Sequence, residues 1–233
     1  MGNIFEPSLK DGEADIGGYR VTLTEDIGSG SFGTVFSARN RKTGGKLAVK
    51  KIRYDIGAEI NEELRNMAES EAVVMKTVRH RHIVSLLDYA IAHRSAWLFM
   101  PFCDRGDLNH YLNNNADMPI GKRFILMHQM AEAVSCLHGN NPPIIHRDIK
   151  PGNVLMKNID GKDCAMLTDF GLAKIYDYNM SVAGSLAYRD YHESLKGTPS
   201  FMAPEFFMED PSGLKYTATV DVYSLGLMNS VSH

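Results

Sequence analysis

The chain has little cysteine, and the cysteines that it has are far apart. Only Cys103, Cys136 and Cys164 occur in 233 residues, and no two of them form a Cys-x-x-C pair. A disulfide-stabilised secreted domain and a structural zinc site both need more thiols at closer spacing. The composition therefore favours a reducing compartment, with the cytoplasm as the expected location and the nucleus as the alternative.

The chain also lacks a long apolar run, a secretory signal and a strong net charge. No segment has the length and apolar character of a transmembrane helix, and residues 1–18 lack the basic and apolar regions of a signal peptide. Glu6 stands where an N-myristoylation pattern needs serine or threonine, so residues 1–18 are interpreted as a flexible polar leader. A formal net charge of -3 gives no general attraction to nucleic acid, and we expect no nucleic-acid partner.

A glycine-rich segment follows the first predicted strand and allows two interpretations. Tyr19–Ile27 alternates like a strand and runs into Gly28-Ser29-Gly30-Ser31-Phe32-Gly33. In a dinucleotide-binding oxidoreductase the third glycine would open a helix, whereas in a phosphate-covering hairpin it would open a second strand. Thr34–Ala38 is rich in β-forming residues, which favours the hairpin. Its glycines would let backbone N–H groups approach phosphate oxygens.

The next two elements each carry a charged residue in an apolar setting. Lys46–Ile52 reads as a buried strand that contains Lys50, and Glu59–Val78 reads as a helix. Glu71 lies on the apolar face of that helix, which is unusual for a carboxylate unless it is paired. A cationic partner for Glu71 is therefore expected.

The most informative stretch is Ile144–Met156, with the sequence IIHRDIKPGNVLM. Two apolar runs flank a loop that carries the carboxylate of Asp148, the ammonium of Lys150 and the carboxamide of Asn153. Such a loop can present a base, a positive charge and a metal ligand to one small volume, as phosphoryl transfer requires. A solvated surface loop could hold any one of these residues, but the full string is far more restrictive.

Two later segments complete the pattern. Asp169-Phe170-Gly171 follows the short apolar run Cys164–Leu167, and Gly197-Thr198-Pro199 precedes Ala203-Pro204-Glu205. Together with the loop and the glycine-rich segment, they resemble the catalytic domain of eukaryotic-type serine/threonine protein kinases. The resemblance extends from Tyr19 to about Leu227.

The resemblance implies an α+β, bilobal fold for residues 19–233. We expect an N-lobe over residues 19–100 with a small antiparallel sheet and one helix, a hinge over 101–106, and a mostly helical C-lobe over 107–233. The family continues the last helix beyond this point and adds others, so a C-terminally incomplete C-lobe is expected. Within this lobe, Arg123–His138 is predicted to be a helix with Phe124, Met127, Met130, Val134 and Leu137 on its core stripe.

The resemblance also assigns catalytic roles, with ATP and Mg²⁺ as cofactors. Asp148 becomes the base, and Lys150 neutralises the transferring phosphoryl group. Asn153 and Asp169 hold magnesium, while Lys50 pairs with Glu71 and binds the inner phosphates. Thr198, together with Lys150, favours serine/threonine acceptors. Asp221, on a helix over Thr217–Gly226, is expected to bond the backbone of the catalytic loop. Ser194 is the candidate phosphosite of the activation segment.

An ATP site follows from the same resemblance. The residues expected to line it are Gly28, Ser29, Gly30, Ser31, Phe32, Gly33, Val35, Ala48, Lys50, Met100, Pro101, Cys103, Asp107 and Leu155. Met100 would lie behind the adenine, and the Pro101 carbonyl and Cys103 N–H would bind its edge. The implied partners are a protein substrate with a serine or threonine acceptor and an upstream activating kinase.

Two alternatives come from other classes of protein. A truncated kinase-like module could bind nucleotide as a regulator with weak or no turnover. A dinucleotide-binding oxidoreductase rests on the glycine pattern alone, and it requires a helix directly after Gly33.

Overall fold

A computed structural model of the chain describes residues 12–16, 18–30, 33–56, 59–175, 199–207 and 217–231. The chain divides into two compact units, one over Met1–Thr77 and Val84–Phe102 and the other over Val78–Ile83 and Cys103–His233. None of the helices within the described ranges combines the length and apolar character needed to cross a membrane.

The first unit is an antiparallel sheet with one helix. Its strands are β1 (Glu13–Ile16), β2 (Tyr19–Gly30), β3 (Gly33–Asn40), β4 (Lys46–Arg53), β5 (Asp55–Ile56), β6 (Glu59–Ile60), β7 (Asp88–Ile91) and β8 (Ser95–Pro101), and its helix is α1 (Glu62–Thr77). Six strands form one sheet in the order β1-β2-β3-β4-β8-β7, and β5 pairs with β6 apart from it. The predicted antiparallel sheet with one helix is confirmed.

The central strands β4 and β8 of the large sheet are buried on both faces, which explains why they are largely apolar. Val21, Val49 and Phe99 belong to the core cluster on one face. Ile52 and Leu98 belong to the cluster on the other face, where α1 contributes Ala68 and Ala72. Because successive strand residues point to opposite faces, a strand covered on both sides must be apolar throughout. The strand β8 reads Ser-Ala-Trp-Leu-Phe-Met-Pro for this reason.

The predicted flexible leader is wrong at its C-terminal end. Glu13–Ile16 forms β1 and pairs with β2, with Ala14 opposite Val21 and Ile16 opposite Tyr19. Ala14 and Ile16 are buried in the core of the sheet. These two residues alternate with Glu13 and Asp15, a short two-residue period that suits a strand at a sheet edge.

The glycine-rich segment lies at the connection between β2 and β3. Gly28 is paired with Val35 and Gly30 with Gly33, while Ser31 and Phe32 fall outside the described residues. The chain continues from Gly33 as a strand to Asn40. The oxidoreductase interpretation required a helix at this point and is therefore wrong.

The second unit is mostly helical in its larger elements. It contains α2 (Leu108–Asn113), α3 (Ile120–His138), β9 (Ile144–Ile145), β10 (Val154–Ile159), β11 (Lys162–Leu167), β12 (Lys174–Ile175) and α4 (Thr219–Val231), with short 3₁₀ turns at Pro151–Asn153, Pro199–Phe201 and Pro204–Phe207. The strands form two antiparallel pairs, β10 with β11 and β9 with β12. Helix α3 packs against β11, β9 and α4.

Phe124 does not belong to the core stripe of α3. Its residue surface is 57% exposed, whereas Leu126, Met130 and Leu137 are buried. Each helical residue advances about 100° around the axis, so Phe124 lies on nearly the opposite side of α3 from Leu126. The placement of Phe124 in the core was therefore wrong, because Leu126 and not Phe124 starts the buried stripe.

Gly33, the first residue of β3, lies so close to β4 that a side chain there should destabilise the sheet. Its φ is +151°, and a Cβ at this position would overlap the backbone carbonyl oxygen of Lys51. We expect Gly33→Ala to lower the free energy of unfolding by about 1–3 kcal/mol, because β3 and β4 must move apart. Urea unfolding without nucleotide measures the change. Gly28→Ala is the matched control, since a Cβ there would lie 4.0 Å from the nearest atom, Cβ of Val35. Equal losses in both variants would contradict the steric argument.

Candidate active site

A buried ion pair links the sheet of the first unit to its helix. Lys50 lies on β4, and its Nζ is 2.8 Å from Oε1 and 3.0 Å from Oε2 of Glu71 on α1. The side chains are 9% and 3% exposed, respectively. The predicted cationic partner of Glu71 is thus Lys50.

This pair fixes the direction of the Lys50 side chain. Lys50 and Ile52 are two residues apart on β4 and therefore lie on the same face of the sheet, and Ile52 packs in the cluster that contains Ala68 and Ala72 of α1. The small alanines allow the helix to lie close to the sheet, so the carboxylate of Glu71 reaches the ammonium with both oxygens. The long, flexible side chain of Lys50 is in this way held in one position.

The same sheet aligns other residues expected at the ATP site. Val35 is paired with Gly28 on one side and with Lys50 on the other. Ala48 is paired with Met100, and Leu47 with Pro101. The register therefore places Gly28, Val35 and Lys50 in one row across three strands.

The ion pair between Lys50 and Glu71 can be tested by a double-mutant cycle. The single variants are Lys50→Met and Glu71→Leu. Glu71→Leu removes both carboxylate oxygens that accept from the buried ammonium, and we expect it to cost about 3–5 kcal/mol of unfolding free energy. In Lys50→Met/Glu71→Leu both charges are absent, so its cost should be well below the sum of the two single variants. Chemical unfolding measures all four proteins. Additive losses would show that the two side chains do not interact.

In the second unit, Lys150 and Asn153 converge on the carboxylate of Asp148. Lys150 Nζ and Asn153 Nδ2 both lie 2.8 Å from Asp148 Oδ2. Asp148 and Asn153 are buried, and the Lys150 side chain is 25% exposed. The three residues singled out from the sequence of this loop are therefore brought together.

The 3₁₀ turn Pro151–Asn153 makes this convergence possible, because it turns Asn153 back toward Asp148. Asn153 Nδ2 also donates to the backbone carbonyl of Asp148, again at 2.8 Å. Since both bonds use the amide nitrogen, the amide oxygen is the atom with which Asn153 would ligate a cation. Oxygen is the donor that magnesium prefers.

Asp169 is positioned next to this loop through the backbone of Thr168. The Thr168 N–H donates to the Asn153 carbonyl at 2.9 Å, and its carbonyl accepts from His146 Nε2 at 3.0 Å. Asp169 follows directly, with a φ of +64° that turns the chain away from the line of β11. The structure therefore brings Asn153 and Asp169 into neighbouring backbone segments.

Asp221 of α4 holds the start of the catalytic loop, as predicted. Its Oδ2 accepts from the His146 N–H and its Oδ1 from the Arg147 N–H, both at 2.8 Å. His138, at the end of α3, places Nε2 2.8 Å from Oδ2 as well. The carboxylate is fully buried. The His138 contact was not predicted, because nothing in the local sequence links residues 83 positions apart.

Arg147 connects the loop to the segment after Asp169. Its backbone has a φ of +66°, and its Nε donates to the Leu172 carbonyl at 2.6 Å. Nearby, the ring of Phe170 is buried and meets the His146 ring edge-on, with centroids 5.0 Å apart. These contacts and the pairing of β9 with β12 tie residues 170–175 to the loop.

Asp107, Leu155 and Cys103 lie elsewhere in the second unit. Asp107 and Leu155 form an isolated antiparallel bridge. The Asp107 carboxylate caps α2 by accepting from the His110 N–H at 2.8 Å, a role that an aspartate directly before a helical segment could have suggested. Burial raises the pKa of the Cys103 thiol to about 11, so this thiol is protonated near neutral pH. Thr198 and Ser194 lie outside the described residues.

Asp221→Asn tests whether this carboxylate orders the catalytic loop. The amide has only one acceptor oxygen, so one of the two backbone N–H groups would face an NH₂ group and lose its bond, at about 1–3 kcal/mol. We expect amide hydrogen exchange at His146 and Arg147 to accelerate at least about fivefold. Ser224→Ala on the same helix is the control, because among the described residues Ser224 bonds the carbonyls of Phe201 and Val220 and not the catalytic loop. Equal acceleration in both variants would contradict a specific role for Asp221.

Comparisons with known proteins agree with this arrangement. The family model for the protein kinase domain matches residues 21–231. The chain is 33% identical over 211 residues to serine/threonine-protein kinase ATG1c of Arabidopsis thaliana, a match that covers 91% of the chain. It is 31% identical to serine/threonine-protein kinase PkaA of Streptomyces coelicolor and to human serine/threonine-protein kinase ULK3, over 91% and 88% of the chain.

These relatives are much longer than the chain. The matched part corresponds to 26% of the Arabidopsis protein, 38% of the Streptomyces protein and 40% of the human protein. The similarity therefore concerns one region of each relative.

Proposed function

Since this chain belongs to the protein kinase domain family, we propose that it is a serine/threonine protein kinase. In the proposed reaction it transfers the γ-phosphoryl group of ATP, with Mg²⁺, to a serine or threonine hydroxyl of a protein. The observation that carries the proposal is the convergence of Lys150 and Asn153 on the Asp148 carboxylate. The three relatives compared above are named serine/threonine-protein kinases, which supports the choice of acceptor.

Asp148 is the proposed base. Two donors on Oδ2 hold the carboxylate in one orientation, so it can accept the proton of a substrate hydroxyl as the oxygen attacks phosphorus. Lys150 pairs with this carboxylate at 2.8 Å and is proposed to neutralise charge on the transferring phosphoryl group as well. The loop thus combines proton acceptance with charge neutralisation.

Asn153 and Asp169 are the proposed magnesium ligands. The Asn153 amide oxygen and the Asp169 carboxylate fit a hard cation, and the backbone places them in adjacent segments. When bound, Mg²⁺ neutralises the negative charge of the nucleotide phosphates.

In the first unit, Lys50 is proposed to bind the inner phosphates of ATP, because Glu71 holds its ammonium in place. The residues proposed to complete nucleotide binding are Gly28, Ser29, Gly30, Ser31, Phe32, Gly33, Val35, Ala48, Met100, Pro101, Cys103, Asp107 and Leu155. Thr198 is proposed to support serine/threonine specificity together with Lys150. Ser194 is proposed as the site of an upstream activating kinase, and the cytoplasm as the location.

Phosphate transfer from radiolabelled ATP to a generic basic protein tests the proposal. We expect wild-type transfer to serine or threonine, and a loss of at least about 100-fold in Asp148→Asn, because the amide cannot accept the proton. Asp160→Asn should keep full activity, since Asp160 is an exposed residue in the turn between β10 and β11.

Thermal stabilisation by Mg-ATP separates the outcomes. Stabilisation of both wild type and Asp148→Asn is expected, because Asp148 acts on the acceptor. Stabilisation without any transfer by the wild type would overturn the kinase proposal and favour a regulatory nucleotide-binding module. Transfer that persists in Asp148→Asn would overturn the role of Asp148.

A further inference from the structure

Helix α3 carries large apolar side chains that no described residue covers. Phe124 and Ile125 are 57% and 56% exposed. Two neighbouring hollows share Ile125 and Gln129 as lining residues, and Phe124 lines one of them. We call the two hollows and these residues the α3 groove. The groove lies within the second unit and does not include Asp148, Lys150 or Asn153.

The first hollow combines an apolar wall with two cations. It has a volume of about 270 Å³, and Tyr111, Met118, Ile125 and Leu126 form its apolar lining. Lys122 and Lys162 also line it, and both residues are exposed. A space of this size with apolar walls suits a large side chain of a partner rather than scattered water.

The second hollow continues the groove on the other side of Ile125. It is open, with a volume of about 510 Å³, and Phe124, Arg81 and His128 are among its lining residues. Because both hollows share Ile125, an extended ligand could cross the helix and contact each of them.

The charges of the groove are not balanced. Three cations, Arg81, Lys122 and Lys162, face two carboxylates in its lining. Asp163 Oδ2 accepts from the Tyr111 hydroxyl at 2.7 Å, while its buried Oδ1 has no hydrogen-bond partner among the described residues. Glu132 lies 3.5 Å from His82 and 3.7 Å from His128. By contrast, Arg81, Lys122 and Lys162 make no ion pair with any residue in the described part of the chain. The groove therefore offers positive charge beside the exposed apolar side chains of Phe124 and Ile125.

We propose that the α3 groove binds an extended segment of a partner protein in which large apolar residues are flanked by aspartate or glutamate. The apolar side chains fill the hollows on either side of Ile125, and the carboxylates pair with Lys122, Lys162 and Arg81. Concave hollows favour discrete side chains over a flat membrane surface, and exposed Phe124 and Ile125 would gain nothing from a phosphate backbone. This binding does not depend on phosphoryl transfer.

Display of random peptides of about twelve residues on phage tests the proposal with the full chain as bait. Clones are selected on the wild type and counter-selected on Ile125→Glu, which places a carboxylate between the two hollows. We expect enriched peptides to contain apolar residues next to aspartate or glutamate. Absence of any clone that distinguishes the two proteins would overturn the proposal, as would enriched peptides without acidic residues.

Fluorescence anisotropy with the best enriched peptide then measures its dissociation constant. Ile125→Glu and Lys122→Glu/Lys162→Glu should each weaken binding at least tenfold, about 1.4 kcal/mol. A peptide with lysine in place of its acidic residues should bind Lys122→Glu/Lys162→Glu better than it binds the wild type. Thermal melting checks that all variants fold. We expect them to fold, because the substituted residues are exposed.

Two further variants make the result specific. Val222→Glu on α4 changes an equally exposed apolar residue, also at 57%, outside the groove and should leave the dissociation constant unchanged. Asp148→Asn should also bind normally, so peptide binding and phosphate transfer can fail independently. Equal loss of binding in Val222→Glu would overturn the proposal, as would tighter binding to anionic lipid vesicles or to nucleic acid than to the peptide.

Discussion

The buried carboxylate of Asp221 is the interaction on which the second unit depends. It lies inside α4, far along the chain from the catalytic loop, yet it accepts hydrogen bonds from two consecutive backbone N–H groups of that loop. A carboxylate excluded from water is unfavourable unless donors surround it, so it selects the loop conformation in which both N–H groups point inward. Arg147 then takes a positive φ, an uncommon state for a residue with a side chain.

The geometry of Asp148 follows from that turn. Once His146 and Arg147 are fixed, the chain passes through Asp148 into the 3₁₀ turn that returns Asn153 to the carboxylate. The backbone of Asn153 in turn fixes Thr168, and with it the residue that follows, Asp169. One buried side chain in a helix therefore positions groups on two loops, because each hydrogen bond limits the next segment. In the first unit, a single buried ion pair, Lys50 with Glu71, fixes the position of the lysine ammonium.

Most of this arrangement could be predicted from the sequence. The predictable parts are those for which both residue type and spacing carry information. The strand after Gly33, the partner of Glu71 and the grouping of Asp148, Lys150 and Asn153 all followed from local patterns and from the resemblance built on them. The contact of His138 with Asp221 could not be predicted, because long-range packing decides which histidine reaches a given carboxylate. Short β1 was missed because four residues give too brief a pattern to distinguish an edge strand from a polar leader.

The misplacement of Phe124 shows how periodicity alone can extend a buried stripe too far, since Met130, Val134 and Leu137 of the same predicted stripe are buried. Phe124, Met127, Met130, Val134 and Leu137 fit a helical repeat, but so does the stripe that starts at Leu126 and includes Ala133. Met130, Val134 and Leu137 belong to both stripes, and tertiary packing buries Leu126 and Ala133 with them while Phe124 remains exposed. Large apolar residues left outside the core of a helix cost solubility, and a chain keeps such a patch without penalty when a partner covers it. The misplacement of Phe124 and the exposure of Phe124 and Ile125 thus have one physical origin: α3 has apolar residues on two faces, and only one face is packed within the described residues.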